Sequence, residues 1–377
     1  MNARRISAVA RKEFLHVWRD PRSLGMAIAI PILMLLLFGF ALTLDVDHVP
    51  LVVWDQSGTP DSRELVSRFA GSPYFSLVRH VDNERDMNGA IDSGEALMAL
   101  VIPYDFARRL ASQNEASLQV VVSGVDSNTA TIALGYADAI AEIYSQEWSA
   151  DRMKRLGAAD FRPPIEVRDR VWFNPELESK NYIVPGLIAV IMMVIAAMLT
   201  SLTFAREWER GTMEQLISTP VRREELVLGK LIPYFVIGIF DMALAVVLGQ
   251  FMFQVPLRGN LALLFGVASI FLVGVLTMGM LISIVTKSQL MASQLAMMAT
   301  FLPSFLLSGF IFAIVNMPRP IQWLTYLVPA RYFISVLKGI YLKGVGLEIM
   351  ALDTLLLVLF AALMVLMARW KFKKKLA

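Results

Sequence analysis

Apolar residues along this chain of 377 residues are gathered into long blocks rather than spread evenly. An α-helix needs about 20 mainly apolar residues to cross the hydrocarbon core of a bilayer. Six blocks reach this length, and Asp241 and Asp353 are the only acidic residues inside them. The pattern predicts six membrane-spanning helices, over residues 23–44, 181–205, 231–253, 261–286, 288–317 and 349–369.

Lysine and arginine residues are concentrated at one end of these predicted spans. They precede the first span, recur in the segment 206–230 and fill the tail 370–377, whereas the loop between the third and fourth spans holds only Arg258. Because cytoplasmic loops are enriched in Lys and Arg, both termini and residues 206–230 are expected in the cytoplasm, and residues 45–180 outside it. The first span is expected to be a signal anchor, since its apolar run is too long for a cleaved signal peptide.

Residues 1–22 carry a helical rather than a membrane-spanning pattern. Apolar residues recur at three- and four-residue spacing, and basic residues at seven-residue spacing on the opposite face. The apolar set is Ile6, Ala10, Phe14, Val17 and Trp18, and the basic set is Arg5, Lys12 and Arg19. This predicts an interfacial amphipathic helix whose basic face meets anionic lipid. A plain basic leader would explain the charges but not the apolar stripe.

The polar block 45–180 alternates strand-like and helix-like patterns. Five runs favour strands: Val49–Trp54, Phe75–His80, Leu97–Ile102, Leu118–Ser123 and Ile165–Trp172. Four stretches favour helices: Ser62–Ala70, Arg85–Asp92, Tyr104–Ala111 and Ala130–Arg155. The alternation predicts an extracytoplasmic α/β domain inserted between the first and second spans. It shows no catalytic constellation, and its acidic residues are interpreted as a solvated surface.

Residues 318–348 are half apolar but are interrupted by proline and glycine. The interruptions are Pro318, Pro320, Pro329, Gly339, Gly344 and Gly346. Backbone that is not helical at membrane depth must be covered by protein. We therefore expect short, re-entrant helices on the outer side of the membrane.

Composition agrees with this fold class, a membrane all-α protein, because 56% of the residues are hydrophobic and 18% are charged. The chain has no cysteine, and its three histidines (His16, His48 and His80) lie far apart, so no metal site is expected. The net charge of +3 gives no reason to expect a nucleic-acid partner. A phosphate-binding Gly-x-x-x-x-Gly-Lys-Ser/Thr loop is also missing from the sequence, so we expect neither a catalytic site nor a bound cofactor in this chain.

The segment 206–220 has the chemistry of a tightly turned loop. Gly211 is placed to end the cytoplasmic extension of the second span. Thr212 and Gln215 have the spacing of a capping box, and Thr219-Pro220 provides the next N-cap and break. A short helix over 213–218 is predicted across the cytoplasmic ends of two spans. It would either dock a partner or simply cap the bundle.

This segment resembles the hallmark of permeases of the ABC-2 type exporter family. The matching residues are Glu207, Glu209, Gly211, Thr212, Glu214, Leu216, Thr219 and Pro220. Further matching stretches occur across nearly the whole chain, at 102–106, 126–130, 172–175, 307–312, 316–318 and 329–333. The chain departs from the usual pattern at Phe312-Ala313, where a polar residue or proline often follows the aromatic residue.

The resemblance implies a permease in the bacterial inner membrane that exports an amphiphilic substrate such as a drug or a lipid. It implies pairing with a second copy or a close paralogue, and docking of a separate ATPase subunit that holds ATP and Mg²⁺. Carried onto this sequence, the docking residues would be Glu207, Glu209, Arg210, Gly211, Thr212, Glu214 and Leu216. A periplasmic adaptor and an outer-membrane channel are further partners that the resemblance suggests.

Two features inside the predicted spans are candidates for function. Asp241 lies near the middle of the third span, and a carboxyl group there is expected to face the bundle interior or a wet cavity. It is either a transport residue or a structural one. The fifth span carries a ladder of small residues at four-residue spacing: Ala292, Ala296, Thr300, Ser304 and Ser308. Such a ladder suits packing within the chain or a dimer seam, and the family resemblance favours the seam.

Two other classes of function compete with the permease hypothesis. A secondary, ion-coupled transporter would be expected to show internal repeats with broken helices at matching positions, and none is visible. A membrane sensor would need an output domain, and the predicted cytoplasmic portion is too small for one.

Overall fold

The computed structural model describes residues 2–21, 25–42, 46–112, 115–155, 172–174 and 178–372. The chain divides into two compact units, one of Met1–Thr43 with Arg170–Ala377 and the other of Leu44–Asp169. The first unit is helical and the second contains a β-sheet. Each unit has its own hydrophobic core.

The elements follow one another along the chain in three groups. The helical unit begins with α1 (Ala3–Arg19), a π-helical turn (Gly25–Ala29) and α2 (Ile30–Ala41). The sheet-containing unit consists of β1 (Val49–Asp55), α3 (Pro60–Ala70), β2 (Phe75–His80), α4 (Glu84–Asp92), β3 (Met98–Ile102), α5 (Phe106–Ala111), β4 (Gln119–Val122) and α6 (Ser127–Arg155). The helical unit continues with α7 (Ser179–Glu209), α8 (Thr212–Ser218), α9 (Arg223–Phe251), α10 (Leu261–Thr286), α11 (Gln289–Leu306), a 3₁₀ turn (Ile314–Asn316), α12 (Arg319–Thr325), α13 (Pro329–Lys338), a π-helical turn (Gly339–Lys343) and α14 (Ala351–Lys371).

Within the described residues, four helices are long and apolar enough to cross a membrane. They are α7, α9, α10 and α14, and they coincide with the second, third, fourth and sixth predicted spans. The protein is therefore mostly helical and multi-pass. At these four positions, helices of membrane-spanning length and composition match the prediction.

Within the described residues 25–42 of the first predicted span, over 23–44, regular α-helix is shorter than the sequence suggests. Its apolar residues form the π-helical turn followed by α2, which has 12 residues. Pro31 stands in the first turn of α2. Because proline lacks a backbone N–H and its ring clashes with the preceding turn, regular α-helix begins beside it rather than continuing through it.

The fifth predicted span, over 288–317, also ends early. α11 stops at Leu306, and Gly309 follows with a φ of 79° before the 3₁₀ turn. Glycine adopts this left-handed conformation without the steric cost that a side chain brings. Residues 307–317 therefore leave the helix instead of extending it.

Helix α7 is the centre of the helical unit. Its sequence is apolar on every side, as expected for a helix that is enclosed by others. It contacts α2, α9, α10, α11 and α13. At Gly279 of α10 a Cβ atom would lie 2.3 Å from the Ala197 carbonyl oxygen, so glycine permits the close approach of α10 to α7.

Helix α1 packs along the N-terminal end of α9. Val9 and the carbonyl of Ile6 lie against Gly229, where a Cβ atom would be 2.7 Å from Val9. Val17 is buried, whereas Phe14 and Trp18 are exposed and stack with their ring centroids 6.2 Å apart. The predicted apolar stripe is thus divided between the protein interior and the surface.

The sheet of the second unit has the strand order β2-β1-β3-β4. β1 is parallel to β2 and β3, and β4 is antiparallel to β3. Val49, Leu51 and Val53 of β1 enter one core with α3 and α6, while Val52 enters a second core with α4. Successive side chains of a strand point to opposite faces, so helices on both sides explain the continuous apolar run of β1.

Four of the five predicted strands are present in this unit, with ends that shift by at most one residue. All four predicted helices are also present and begin one to three residues from their predicted starts. The fifth predicted strand, Ile165–Trp172, lies almost wholly outside the described residues.

The segment 318–348 forms short helices, as its prolines and glycines predict. α13 contacts α7 and α14, and its residues Ala330, Phe333, Val336 and Leu337 are buried. The Phe333 ring stacks on Phe271 of α10 with centroids 4.1 Å apart. The non-helical backbone of this segment is therefore adjacent in sequence to a helix that is packed against the bundle.

Candidate functional site: the α8 turn and its charge cluster

The turn between α7 and α9 folds into the short helix that the sequence predicts. α7 ends at Glu209, and Gly211 adopts a φ of 69°, which redirects the chain. α8 then runs over Thr212–Ser218, compared with the predicted 213–218. The position of the helix was readable from the sequence because a glycine and a Thr-Pro pair enclose it.

The predicted capping box at the start of α8 is wrong. Gly211 precedes the helix and provides no side chain for a cap. The Thr212 hydroxyl instead donates a hydrogen bond to the Glu207 carboxylate. A carboxylate that is held in place accepts a stronger hydrogen bond than a backbone carbonyl does, so the local capping pattern loses to this contact.

The predicted cap at Thr219-Pro220 is also wrong. Thr219 closes α8, with its hydroxyl donating to the Leu216 carbonyl at 2.6 Å. α9 begins at Arg223, and the Glu225 carboxylate accepts a hydrogen bond from the Arg222 backbone N–H at 2.9 Å. Glu225 therefore provides the cap that the sequence reading gave to Thr219.

Helix α8 is attached to the bundle on one side and open on the other. Met213 is 1% exposed and packs with Phe204, Leu226, Met280 and Phe372. Leu216 packs against the same cluster. The outer face of α8, by which we mean Glu214, Gln215 and Ser218, is exposed.

Glu207 points away from that outer face. Its Oε1 lies 2.7 Å from Lys12 Nζ of α1 and 3.4 Å from Lys230 Nζ of α9. Its other carboxylate oxygen accepts the Thr212 hydroxyl. A residue that the family pattern suggests for docking is therefore engaged inside the chain.

Lys230 is the least exposed member of this group, at 1%. Its Nζ lies 2.5 Å from Glu13 Oε1 and 5.2 Å from the centroid of the Phe204 ring. Glu13 is itself 4% exposed. We call Lys12, Glu13, Glu207 and Lys230 the charge cluster; it joins α1, α7 and α9 at one end of the bundle.

Neither Glu13 nor the burial of Lys230 was predicted from the sequence, in which Lys230 belongs to the positive segment 206–230. One signal was available, because Glu13 lies on the face of α1 that also carries Val9 and Val17. An acidic residue in register with buried apolar ones needs a partner. The identity of that partner, a lysine more than two hundred residues away, depends on tertiary structure alone.

The remaining predicted docking residues divide in the same way. Glu209 accepts hydrogen bonds from the Gln289 backbone N–H at 2.7 Å and from its side-chain amide, which joins α7 to α11. Arg210 and Gly211 are exposed. Of the seven residues, Glu209, Arg210, Gly211 and Glu214 are exposed. Glu207, Glu209 and Thr212 have hydrogen-bond partners within the chain, and Leu216 packs against the bundle.

Asp241 faces the interior of the helical unit. It is 7% exposed and borders a small apolar pocket between α2, α7, α9 and α10, beside Leu35, Ile188, Tyr234 and Leu272. Among the described residues, its Oδ1 has no hydrogen-bond partner. Asp241 is therefore a polar group in an apolar surrounding, separate from the charge cluster.

The small-residue ladder of α11 packs within the chain. Ala292, Ala296, Thr300 and Ser304 are fully buried in α11, which contacts α7. Ser308, just beyond the end of the helix, is nearly buried. The Ser304 hydroxyl contacts the Met193 sulfur of α7 at 2.9 Å. Packing between helices of one chain therefore accounts for the burial of the ladder.

Comparison with known proteins covers nearly the whole chain. Residues 21–370 match the family described as ABC-2 family transporter protein. The chain is 39% identical to the probable multidrug ABC transporter permease YbhS of Escherichia coli (strain K12), over 99% of this chain and 98% of the relative. It is 32% identical to the probable multidrug ABC transporter permease YbhR of the same strain, over 92% of each chain. It is 24% identical to the inner membrane transport permease YhhJ of that strain, over 86% of this chain and 85% of the relative.

Proposed function

Because the chain belongs to the ABC-2 family of transporter proteins, we propose that this ABC transporter permease is the membrane subunit of an ATP-driven exporter. Its ATPase is a separate polypeptide that docks on the outer face of α8. The observation that carries the proposal is the two-sided character of α8: Met213 anchors it, and Glu214, Gln215 and Ser218 stay exposed.

The position of α8 suits it to transmit movement. It connects the end of α7 to the start of α9, so a displacement of α8 acts on two long helices at once. The charge cluster joins the same two helices to α1 through Glu207, Lys230 and Glu13. In this mechanism, ATP binding and hydrolysis move the partner, α8 moves with it, and the bundle follows as a connected body.

Six membrane crossings fit the lengths of the helices. The π-helical turn and α2 together cover 25–41, about 25 Å at 1.5 Å per residue, which nearly equals a hydrocarbon core of about 30 Å. The 18 residues of α11 reach about 27 Å. With both as spans, the chain has both termini and α8 in the cytoplasm and the unit 44–169 outside, as the Lys and Arg distribution supports.

The energy source and the assembly follow from the family. ATP and Mg²⁺ are held by the ATPase subunit, and this chain catalyses no reaction itself. The permease pairs with a second copy or a close paralogue, and the seam uses residues other than the buried ladder of α11. The outer unit is suited to meet a periplasmic adaptor that leads to an outer-membrane channel.

The substrate is an amphiphilic compound, such as a drug or a lipid, that leaves the cytoplasm or the inner leaflet. The support is that YbhS and YbhR are both described as probable multidrug permeases. Asp241 is the candidate transport residue, because it is a buried acidic side chain without a described partner on its Oδ1.

Measurements of ATP hydrolysis test whether the ATPase is a separate subunit. The purified chain alone should hydrolyse no ATP above background, and the complex recovered with an ATP-binding-cassette subunit from native membranes should hydrolyse it. Export by membranes that contain the complex should require ATP and should continue after the proton gradient has been collapsed. Hydrolysis by the chain alone, or export that a proton gradient drives without ATP, contradicts the proposal.

A further inference from the structure

A second site lies beside the charge cluster and shares Lys12 with it. It is an open cavity of about 860 Å³ between α1, the end of α7 and the start of α11. Ten residues line it: Lys12, Leu15, His16, Arg19, Asp20, Pro21, Leu202, Arg206, Arg210 and Gln289. We call it the basic cavity, because four of the ten are Lys or Arg and one is acidic.

The four cationic side chains of the basic cavity differ in whether they already have an acidic partner within the chain. Lys12 pairs with Glu207 at 2.7 Å, and Arg206 lies 3.7 Å from Asp20 and also contacts Gln289. Arg19 and Arg210 are exposed and form no ion pair within the part of the chain that the structure describes. Two guanidinium groups are therefore available to an anion from outside the chain.

His16 does not add a further charge near neutral pH. Burial, and secondarily the positive charge of Arg206, lower the pKa of His16 below its ordinary value of 6.5. The imidazole is thus neutral at pH 7. The attraction that the cavity offers to an anion comes from the arginines.

The lining of the basic cavity is partly apolar. It therefore favours binding of an amphiphile over binding of a small soluble anion. Leu15 and Leu202 form part of its lining. Elsewhere on the exposed surface of α1, outside the cavity lining, the rings of Phe14 and Trp18 stack on each other. Aromatic and aliphatic groups beside basic ones on a surface helix are typical of the headgroup layer of a membrane.

We propose that the basic cavity is a discrete binding site for the phosphate headgroup of an anionic phospholipid from the cytoplasmic leaflet. Arg19 and Arg210 bind the phosphate oxygens, for which guanidinium groups have matching geometry. The acyl chains lie along Leu15 and Leu202. A lipid in this place bridges α1, α7 and α11 and so completes the attachment of α1 to the bundle. The proposal does not depend on which substrate is exported.

Lipid titration of the purified full chain tests the proposal. The protein is kept in a neutral detergent, and binding of phosphatidylglycerol is followed by native mass spectrometry, with phosphatidylcholine and inorganic phosphate as separate probes. Each Lys or Arg near a membrane surface contributes about a fivefold preference for anionic lipid. Arg19→Gln and Arg210→Gln should each weaken phosphatidylglycerol binding by about fivefold, and the double variant by about 25-fold.

Arg11→Gln is the matched control, since it removes the same charge from the same helix at an exposed position that does not line the cavity. It should change the affinity by less than about twofold, whereas the double variant Arg19→Lys and Arg210→Lys should keep most of it. Circular dichroism and size exclusion confirm that the variants are folded.

Three results would overturn the proposal. An equal loss of phosphatidylglycerol affinity in Arg11→Gln and Arg19→Gln would show only a diffuse attraction of anionic lipid to a basic helix. Binding of inorganic phosphate as tight as that of phosphatidylglycerol would assign the cavity to a soluble anion. Unchanged lipid binding in the double Gln variant, together with lost capture of the ATPase, would assign the two arginines to protein docking.

Discussion

Two acidic residues of one short segment, Glu207 and Glu214, end up in opposite situations. Glu207 is enclosed by Lys12, Lys230 and the Thr212 hydroxyl, whereas Glu214 is exposed on the outer face of α8. They look equivalent in the sequence, as two acidic residues of the same motif. The difference shows that a charge-rich motif can hold a structural part and a surface part within eight residues.

The turn at Gly211 produces this difference. Glu207 is still part of α7, so its direction is fixed by the packing of α7 against α9 and by the ion pair with Lys12 of α1. Glu214 comes after the left-handed turn, on a helix that Met213 holds by one face. Side chains of a short helix that point away from its anchor remain in solvent.

The largest expected effect comes from removing the central cation of the charge cluster. Lys230→Met leaves Glu13 buried without its partner, and breaking a buried ion pair costs about 3–5 kcal/mol of stability. Denaturant titration of the purified protein should show this loss. Lys371→Met is a matched control at an exposed lysine and should change stability by less than about 0.5 kcal/mol.

Removing both charges of that pair sharpens the comparison. The double variant Glu13→Leu and Lys230→Met should be more stable than Lys230→Met alone, because the unpaired carboxylate is gone. If the double variant is less stable than the single one, the cost lies in packing rather than in charge.

A smaller loss is expected for Glu207→Gln. Glu13 still compensates Lys230, so the change removes hydrogen bonds to charged groups, which contribute about 1.5–3 kcal/mol. A double-mutant cycle with Lys230→Met should give a coupling energy clearly different from zero, since the two residues are in contact. If the two losses of stability are strictly additive, Glu207 does not interact with Lys230 and does not belong to the charge cluster.

The smallest stability effects belong to the exposed positions. The Lys12 side chain is half exposed, so Lys12→Met should cost no more than about 1 kcal/mol although it removes a 2.7 Å ion pair. A loss as large as that of Lys230→Met would show that the edge of the cluster is as important as its centre.

Much of this architecture was predictable because it depends on local pattern. Four spans, the strands β1 to β4 and the position of α8 follow from apolar length, alternation and turn residues. The ends of α2 and α11 did not follow, since hydropathy alone ignores the effect of Pro31 and of the turn at Gly309. The roles of Glu207 and Glu214 could not be separated from the sequence, because the position of Lys230 and Glu13 beside Glu207 is a tertiary contact.

The central claim, that the outer face of α8 docks the ATPase, is tested most directly by Glu214→Lys. The measurement is the amount of ATP-binding-cassette subunit, identified by mass spectrometry, that is captured from native membranes per tagged chain. Reversing one charge of a docked pair costs about 2–5 kcal/mol of affinity, so capture should fall well over tenfold.

Membrane insertion and stability of Glu214→Lys should stay within about 0.5 kcal/mol of the unmodified chain, because the residue is exposed. Glu142→Lys, which makes the same reversal at an exposed glutamate of α6, controls for net charge and should leave capture unchanged. Stoichiometric capture and normal export by the Glu214→Lys protein would contradict the account and leave α8 as a cap on the bundle.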